Sequence, residues 1–145
     1  YAQAVISPAL GVKGIPTRDD VQRHDRHKRC GNIDINKTLD TSKAVHVPAN
    51  GTFTVTIINF HRGFQGSRYI NAVEVDDFGT GKNKRPKAKV VHNGDRAPKN
   101  ESSQVITVRL PHKTKCRGGS HKDLCLVSFN TIANYGNCVV VSQGS

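Results

Sequence analysis

Thr52-Phe-Thr-Val-Thr-Ile-Ile-Asn-Phe60 decides the fold class. Phe53, Val55 and Ile57 fall on one face and the threonines on the other, a period of two that fits a half-buried strand. Working outward, similar runs recur at Tyr69–Val75, Gln104–Leu110, Leu124-Cys-Leu-Val-Ser-Phe129 and Cys138-Val-Val-Val141. Shorter ones stand at Ala4–Ile6, Ala44–Val47 and Ala88–Val91. They are rich in β-branched residues, and Gly, Pro, Asn or Asp bounds most of them. Asn50-Gly51 and Phe78-Gly-Thr-Gly81 read as turns. Nowhere do apolar residues recur at i, i+3, i+4 and i+7 over three turns, so regular helix is not expected. About eight short strands in 145 residues predict one all-β domain spanning 1–145, a β-sandwich or small barrel. Residues 11–43, rich in charge and holding Pro16 and Gly31, are expected to form a long irregular loop on that scaffold.

The chain has four cysteines, Cys30, Cys116, Cys125 and Cys138. Three pairings are open to them. Cys116 and Cys125 flank a loop containing Gly118-Gly-Ser120, which suits a local bridge and leaves Cys30 to Cys138. No C-x₂-C pair is present, so a zinc site is not expected. Three sequons, Asn36-Lys-Thr, Asn50-Gly-Thr and Asn100-Glu-Ser, accompany the cysteines. Sequons mark surface loops of secreted proteins, and paired cysteines belong to oxidising compartments. The expectation is a secreted, extracellular glycoprotein with two disulfides. No apolar run approaches the ~20 residues that span a bilayer. Tyr1-Ala-Gln-Ala-Val-Ile lacks the charged and apolar regions of a signal peptide, so a secreted chain is expected to have lost one.

The formal net charge is +11. Residues 82–99 carry Lys82, Lys84, Arg85, Lys87, Lys89, Arg96 and Lys99 against Asp95 alone. Residues 109–122 carry Arg109, Lys113, Lys115, Arg117 and Lys122 with no acid. Solvated loops account for such runs, but two of them can also form one anion-attracting face. Lys84, Arg85, Lys87 and Lys89 are the expected steering patch. Nucleic acid is the less favoured partner, because base stacking needs aromatics among the cations and residues 79–128 contain none.

Of seven histidines, only His24 and His27 are close in sequence, and Arg23, Arg26, Lys28 and Arg29 around them oppose a bound cation. No metal or other cofactor is expected. Nucleolytic chemistry would need acid/base groups beside cations. His61, Glu74 and His112 are the residues a secreted basic ribonuclease of the ribotoxin type would use here, although nothing in their spacing brings them together. For ligand binding the segment Phe60-His-Arg-Gly-Phe-Gln-Gly-Ser-Arg68 stands out, with Arg62, Phe64, Arg68 and Tyr69 as the expected contacts. Tyr1, Phe64, Tyr69 and Tyr135 lie near expected loops, where they could stack on sugar rings; Phe53, Phe60 and Phe129 are expected in the core.

The order of several motifs resembles a known family. Gly11-Val12, Pro16-Thr-Arg-Asp-Asp20, Cys30-Gly31 and a strand ending at Asn59-Phe-His61 come first. Asp76 to Gly81, Leu110-Pro111 before Cys116, Asp123-Leu-Cys-Leu-Val-Ser-Phe129 and Tyr135-Gly-Asn-Cys-Val-Val-Val141 follow. This arrangement resembles the small secreted fungal proteins related to the appressorium-associated, Egh-like virulence factors. The late pattern also resembles lytic polysaccharide monooxygenases. The resemblance implies an immunoglobulin-like β-sandwich associated with cell-wall polysaccharides. Those enzymes hold copper with an N-terminal histidine and a second histidine. Here Tyr1-Ala2-Gln3 supplies no first ligand, and His61 alone does not make a site. A copper-dependent oxidase is therefore the less favoured alternative. The expected function is non-catalytic: a cationic, effector-like or lectin-like protein, monomeric or weakly dimeric, binding acidic or neutral glycans at a cell wall or cell surface.

Overall fold

The computed structural model describes residues 3–81 and 86–144. Eight strands form two four-stranded sheets. They are β1 (Ala4–Ser7), β2 (Ala44–His46), β3 (Thr52–Asn59), β4 (Ile70–Asp76), β5 (Lys89–His92), β6 (Ser103–Arg109), β7 (Leu124–Thr131) and β8 (Cys138–Ser142). The first sheet has the order β1-β3-β6-β5 and the second β2-β8-β7-β4. Neighbours are antiparallel except β2, which runs parallel to β8. The all-β class and the position of every expected strand hold, with ends moved by a residue or two.

The alternation that marks β3 decides its orientation. Phe53, Val55 and Ile57 are buried, and they meet Val73, Val75, Val127, Phe129, Val139 and Val141 of the opposing sheet in one core. Thr54 stays exposed, and Thr56 is half-buried, on the outer face.

β7 and β8 do not alternate, because both of their faces are covered. Cys125, Val127 and Phe129 point into the main core. Leu124, Leu126, Cys138 and Val140 point the other way and form a second cluster with Leu10, Cys30 and Leu39. The expected irregular segment 11–43 is thus the lid of a second, smaller core. It is not wholly irregular, since it holds a 3-10 turn at Arg18–Asp20 and a one-turn helix, α1 (Ile35–Thr38). Asp34 caps α1 by accepting the Lys37 N–H at 3.3 Å. One turn is too short to leave a helical period in the sequence.

Two disulfides close the framework. Cys30–Cys138 ties the lid to β8, and Cys116–Cys125 ties the segment after β6 to β7. The edge of β1 that faces away from β3 is covered by a side chain, because Asn137 accepts the Ile6 N–H at 2.8 Å and donates to the Ile6 carbonyl at 2.9 Å. No helix among the described residues is long and apolar enough to cross a membrane.

Candidate functional site

The two ends of the first sheet carry different chemistry. At the end where β3 finishes, the loop 60–69 lies against residues 93–100. The Gly63 N–H donates to the Pro98 carbonyl at 2.7 Å, and the Arg68 N–H to the Asp95 carbonyl at 2.8 Å. Gly66 has no room for a side chain: a Cβ there would stand 1.7 Å from the His61 carbonyl oxygen. Arg62 and Phe64 project outward, and Phe64 is 53% exposed.

Arg68 does not project, contrary to the expectation that it contacts ligand. It is 8% exposed and its guanidinium is held by neutral acceptors. Nε donates to Asn59 Oδ1 at 2.9 Å, and Nη2 to Asn100 Oδ1 at 2.8 Å and the Asn100 carbonyl at 3.2 Å. Asn59 completes the knot by donating to the carbonyls of His61 and Asn100. Arg68 is a structural tie between β3, β4 and the loop before β6. Tyr69 is half-buried, with the Arg96 guanidinium 4.0 Å from its ring centre, so that face is already occupied. Arginines also cover Phe60, at 5.6 Å from Arg18, and Tyr135, at 4.7 Å from Arg23. Phe60 is half-buried at the surface instead of in the core, and Tyr135 is buried. Tyr1 lies outside the described residues.

The residues considered for nucleolytic chemistry are not brought together. His61 follows the end of β3, whereas His112 follows Arg109, the partner of Thr52 at its start. β3 has eight residues. At ~3.3 Å each the two histidines sit roughly 25 Å apart along the sheet. Glu74 lies on the second sheet, half-buried and ion-paired with Arg29 at 2.5 Å. No hydrogen bond links any of the three, so no acid/base pair is assembled. Among the described residues, no group of three or more His, Cys, Asp or Glu side chains converges as metal ligands.

The opposite end gathers positive charge. Strand register pairs Lys89 of β5 with Arg109 of β6, and Arg109 with Thr52 of β3. This cross-strand contact joins the two basic stretches that are separate in sequence. Like charges directly opposite each other destabilise a sheet. Here the pair has no carboxylate partner among the described residues, and Arg109 Nε donates only to Thr52 Oγ1 at 3.3 Å. Lys87 is exposed, next to Glu74 on the neighbouring edge. Lys84 and Arg85 lie outside the described residues.

Several of the acids are used elsewhere by the fold. Asp76, 1% exposed, accepts the N–H groups of Phe78, Gly79 and Gly81. Asp40 accepts the Ser120 N–H at 2.9 Å, and Asp95 the Ala97 N–H at 3.1 Å. Asp25 accepts the His27 N–H at 2.8 Å, and that bond holds its carboxyl below the ordinary carboxylate range. Ion pairs among the described residues are two, Arg29–Glu74 and Arg18–Glu101.

A cleft of about 680 Å³ opens beside the basic pair, between the turn Pro48–Gly51 and the turn at residues 111–114. Its lining includes His46, Asn50, Arg109, His112 and Lys113, and no Asp or Glu. Val47 and Leu110 are buried beneath it. Both walls are held from behind. The Leu110 N–H donates to the Gly51 carbonyl at 2.9 Å. Gln143 accepts the Cys116 N–H at 2.7 Å and donates to the Thr114 carbonyl at 3.0 Å. The cationic and polar groups of this lining can offer charge-assisted hydrogen bonds to an anionic group. Arg109 and Lys113 belong to a visibly basic run, but the part of His46 emerges only when β2 is placed beside β8.

No protein-family model, curated protein or solved structure matches the chain.

Proposed function

We propose that the protein is a non-catalytic binder of acidic glycans, secreted and acting at a cell wall or cell surface. The observation that carries this reading is the juxtaposition of Lys89 and Arg109 beside a cleft without carboxylates, in a chain whose aspartates cap turns. Unpaired cations held close together on a rigid sheet lower the cost of desolvating and ordering an anionic partner. The dispersed His61, Glu74 and His112 support a binding role over hydrolysis. Two disulfides fit an oxidising compartment. The sequence resemblance to small secreted fungal effectors supports the same setting. The cleft lining contains no Phe, Tyr or Trp, the stronger stacking side chains, which favours a charged saccharide over single-stranded nucleic acid, whose bases gain ~1–3 kcal/mol each by stacking.

Calorimetric titration with polygalacturonate and heparin, and with soluble β-glucan as the neutral comparator, tests this. Binding is expected with the acidic polymers and is expected to weaken steeply as salt rises through the Debye range. Lys89→Glu and Arg109→Glu are each expected to weaken binding about tenfold, equivalent to ~1.4 kcal/mol. Equal affinity for the neutral polymer, or no loss in either variant, would overturn the assignment.

A further inference from the structure

Asn50 is the sequon asparagine that lines the cleft. Asn36 lies on α1, in the lid over the second sheet, and Asn100 sits beside Arg68 at the far end of the first sheet. Asn50 belongs to the turn that forms one cleft wall, closed by the Gly51 N–H donating to the Pro48 carbonyl at 2.9 Å. Its Oδ1 accepts the Thr52 N–H at 2.9 Å, which fixes the carboxamide plane. Nδ2, the atom that carries a sugar in N-glycosylation, bonds to no described residue. The surroundings leave room: a Cβ added at Gly51 would meet nothing within 4 Å. The hydroxyl of the same sequon, Thr52 Oγ1, accepts from Arg109. The acceptor motif and the basic cleft are therefore one structural unit.

We infer that an N-linked glycan on Asn50 covers the mouth of the cleft. In its attachment, Asn50 Nδ2 loses a proton and bonds the anomeric carbon of a lipid-linked oligosaccharide, whose lipid diphosphate leaves. The first sugars are bulky, neutral and rich in hydroxyls. Anchored on the Asn50 wall, they stand between that turn and His112 on the other wall. Taken with the acidic-glycan reading, on which this consequence rests, the attached glycan competes with an external ligand. The form lacking it is the better binder. Glycans at Asn36 or Asn100 would leave the cleft open.

The test uses the full chain secreted by a yeast host, with site occupancy mapped by glycopeptide mass spectrometry. Wild type, Asn50→Gln, Thr52→Ala and Asn36→Gln are compared in two assays. One is affinity for polygalacturonate. The other is the rate at which diethyl pyrocarbonate modifies His112, which reports access without any ligand. Asn50→Gln and Thr52→Ala both remove the sequon, but the first also loses the acceptor of the Thr52 N–H and the second the acceptor of Arg109. All forms are therefore also made in a host that adds no N-glycan, where equal His112 modification and equal affinity exclude a direct effect of either substitution. The expected result in the yeast-made chains is several-fold faster His112 modification and about tenfold tighter binding in both sequon variants, with Asn36→Gln unchanged. Faster modification without polygalacturonate binding by any form would uphold the cover and overturn the acidic-glycan reading. Binding that depends on Lys89 and Arg109 but is the same with and without the Asn50 sequon would overturn the cover alone. An unmodified Asn50 in the secreted chain would also overturn it. Enzymatic release that converts Asn50 to aspartate is avoided, since a carboxylate there would itself repel an acidic ligand.

Discussion

Replacing Cys30 and Cys138 together by alanine is expected to lower the unfolding free energy by about 4–5 kcal/mol, from the loop-closure dependence of cross-link stabilisation. The bridge spans 108 residues and fastens the lid, through Cys30, to β8. Without it the unfolded chain gains freedom and the lid is held chiefly by Leu10, Leu39 and their partners in the second cluster. Leu124, Leu126 and Val140 would then become intermittently exposed, so binding of a hydrophobic dye should rise as the denaturation midpoint falls. The Cys116–Cys125 bridge spans nine residues. The same relation gives about 2.5 kcal/mol for its removal. Urea melts of the two double variants check the ranking, and equal midpoints would show that loop length does not govern these staples.

The second large effect is expected at Arg68. Arg68→Ala removes the guanidinium bonds to Asn59 and Asn100 and empties a buried side-chain site. Asn59 Oδ1 keeps the Ser102 N–H and the Asn100 carbonyl keeps Asn59 Nδ2, so the cost should be about 2–3 kcal/mol, the scale of lost charge-assisted bonds. Arg62→Ala, six residues earlier and exposed, should change stability by less than ~0.5 kcal/mol. Denaturation curves of both decide whether the loop at residues 60–69 is held by Arg68 or merely carries it. A melt of Arg68→Ala indistinguishable from wild type would show that Arg68 does not hold the loop.

The two arginines show where sequence reading reaches its limit. Each stands next to small or aromatic residues in the same loop, and nothing local separates an outward cation from an inward one. The difference comes from Asn59 at the end of β3 and Asn100 in the loop before β6, which meet around Arg68 only after the sheets form. The aromatics follow the same rule. Phe53 and Phe129 alternate with polar neighbours or lie in an apolar run, and both are buried as expected. Phe60 and Tyr69 lie at strand ends, where period gives no direction, and each finishes under an arginine from a distant segment. For β7 and β8, the apolar stretches Leu124–Val127 and Cys138–Val141 fit burial on both faces, but nothing in them identifies the cover.

Strand positions, the all-β class and the cationic excess were determined by the sequence itself. Alternation, turn residues and charge are properties of near neighbours and survive in one dimension. Tertiary structure alone decided that Lys89 faces Arg109, that His61 and His112 stand at opposite ends of one strand, and that Asn50 borders the cleft. Those relations depend on the register between strands far apart in the chain. A shift of one residue there would redirect every side chain, and no local pattern within either basic stretch records which residue of the other it will meet.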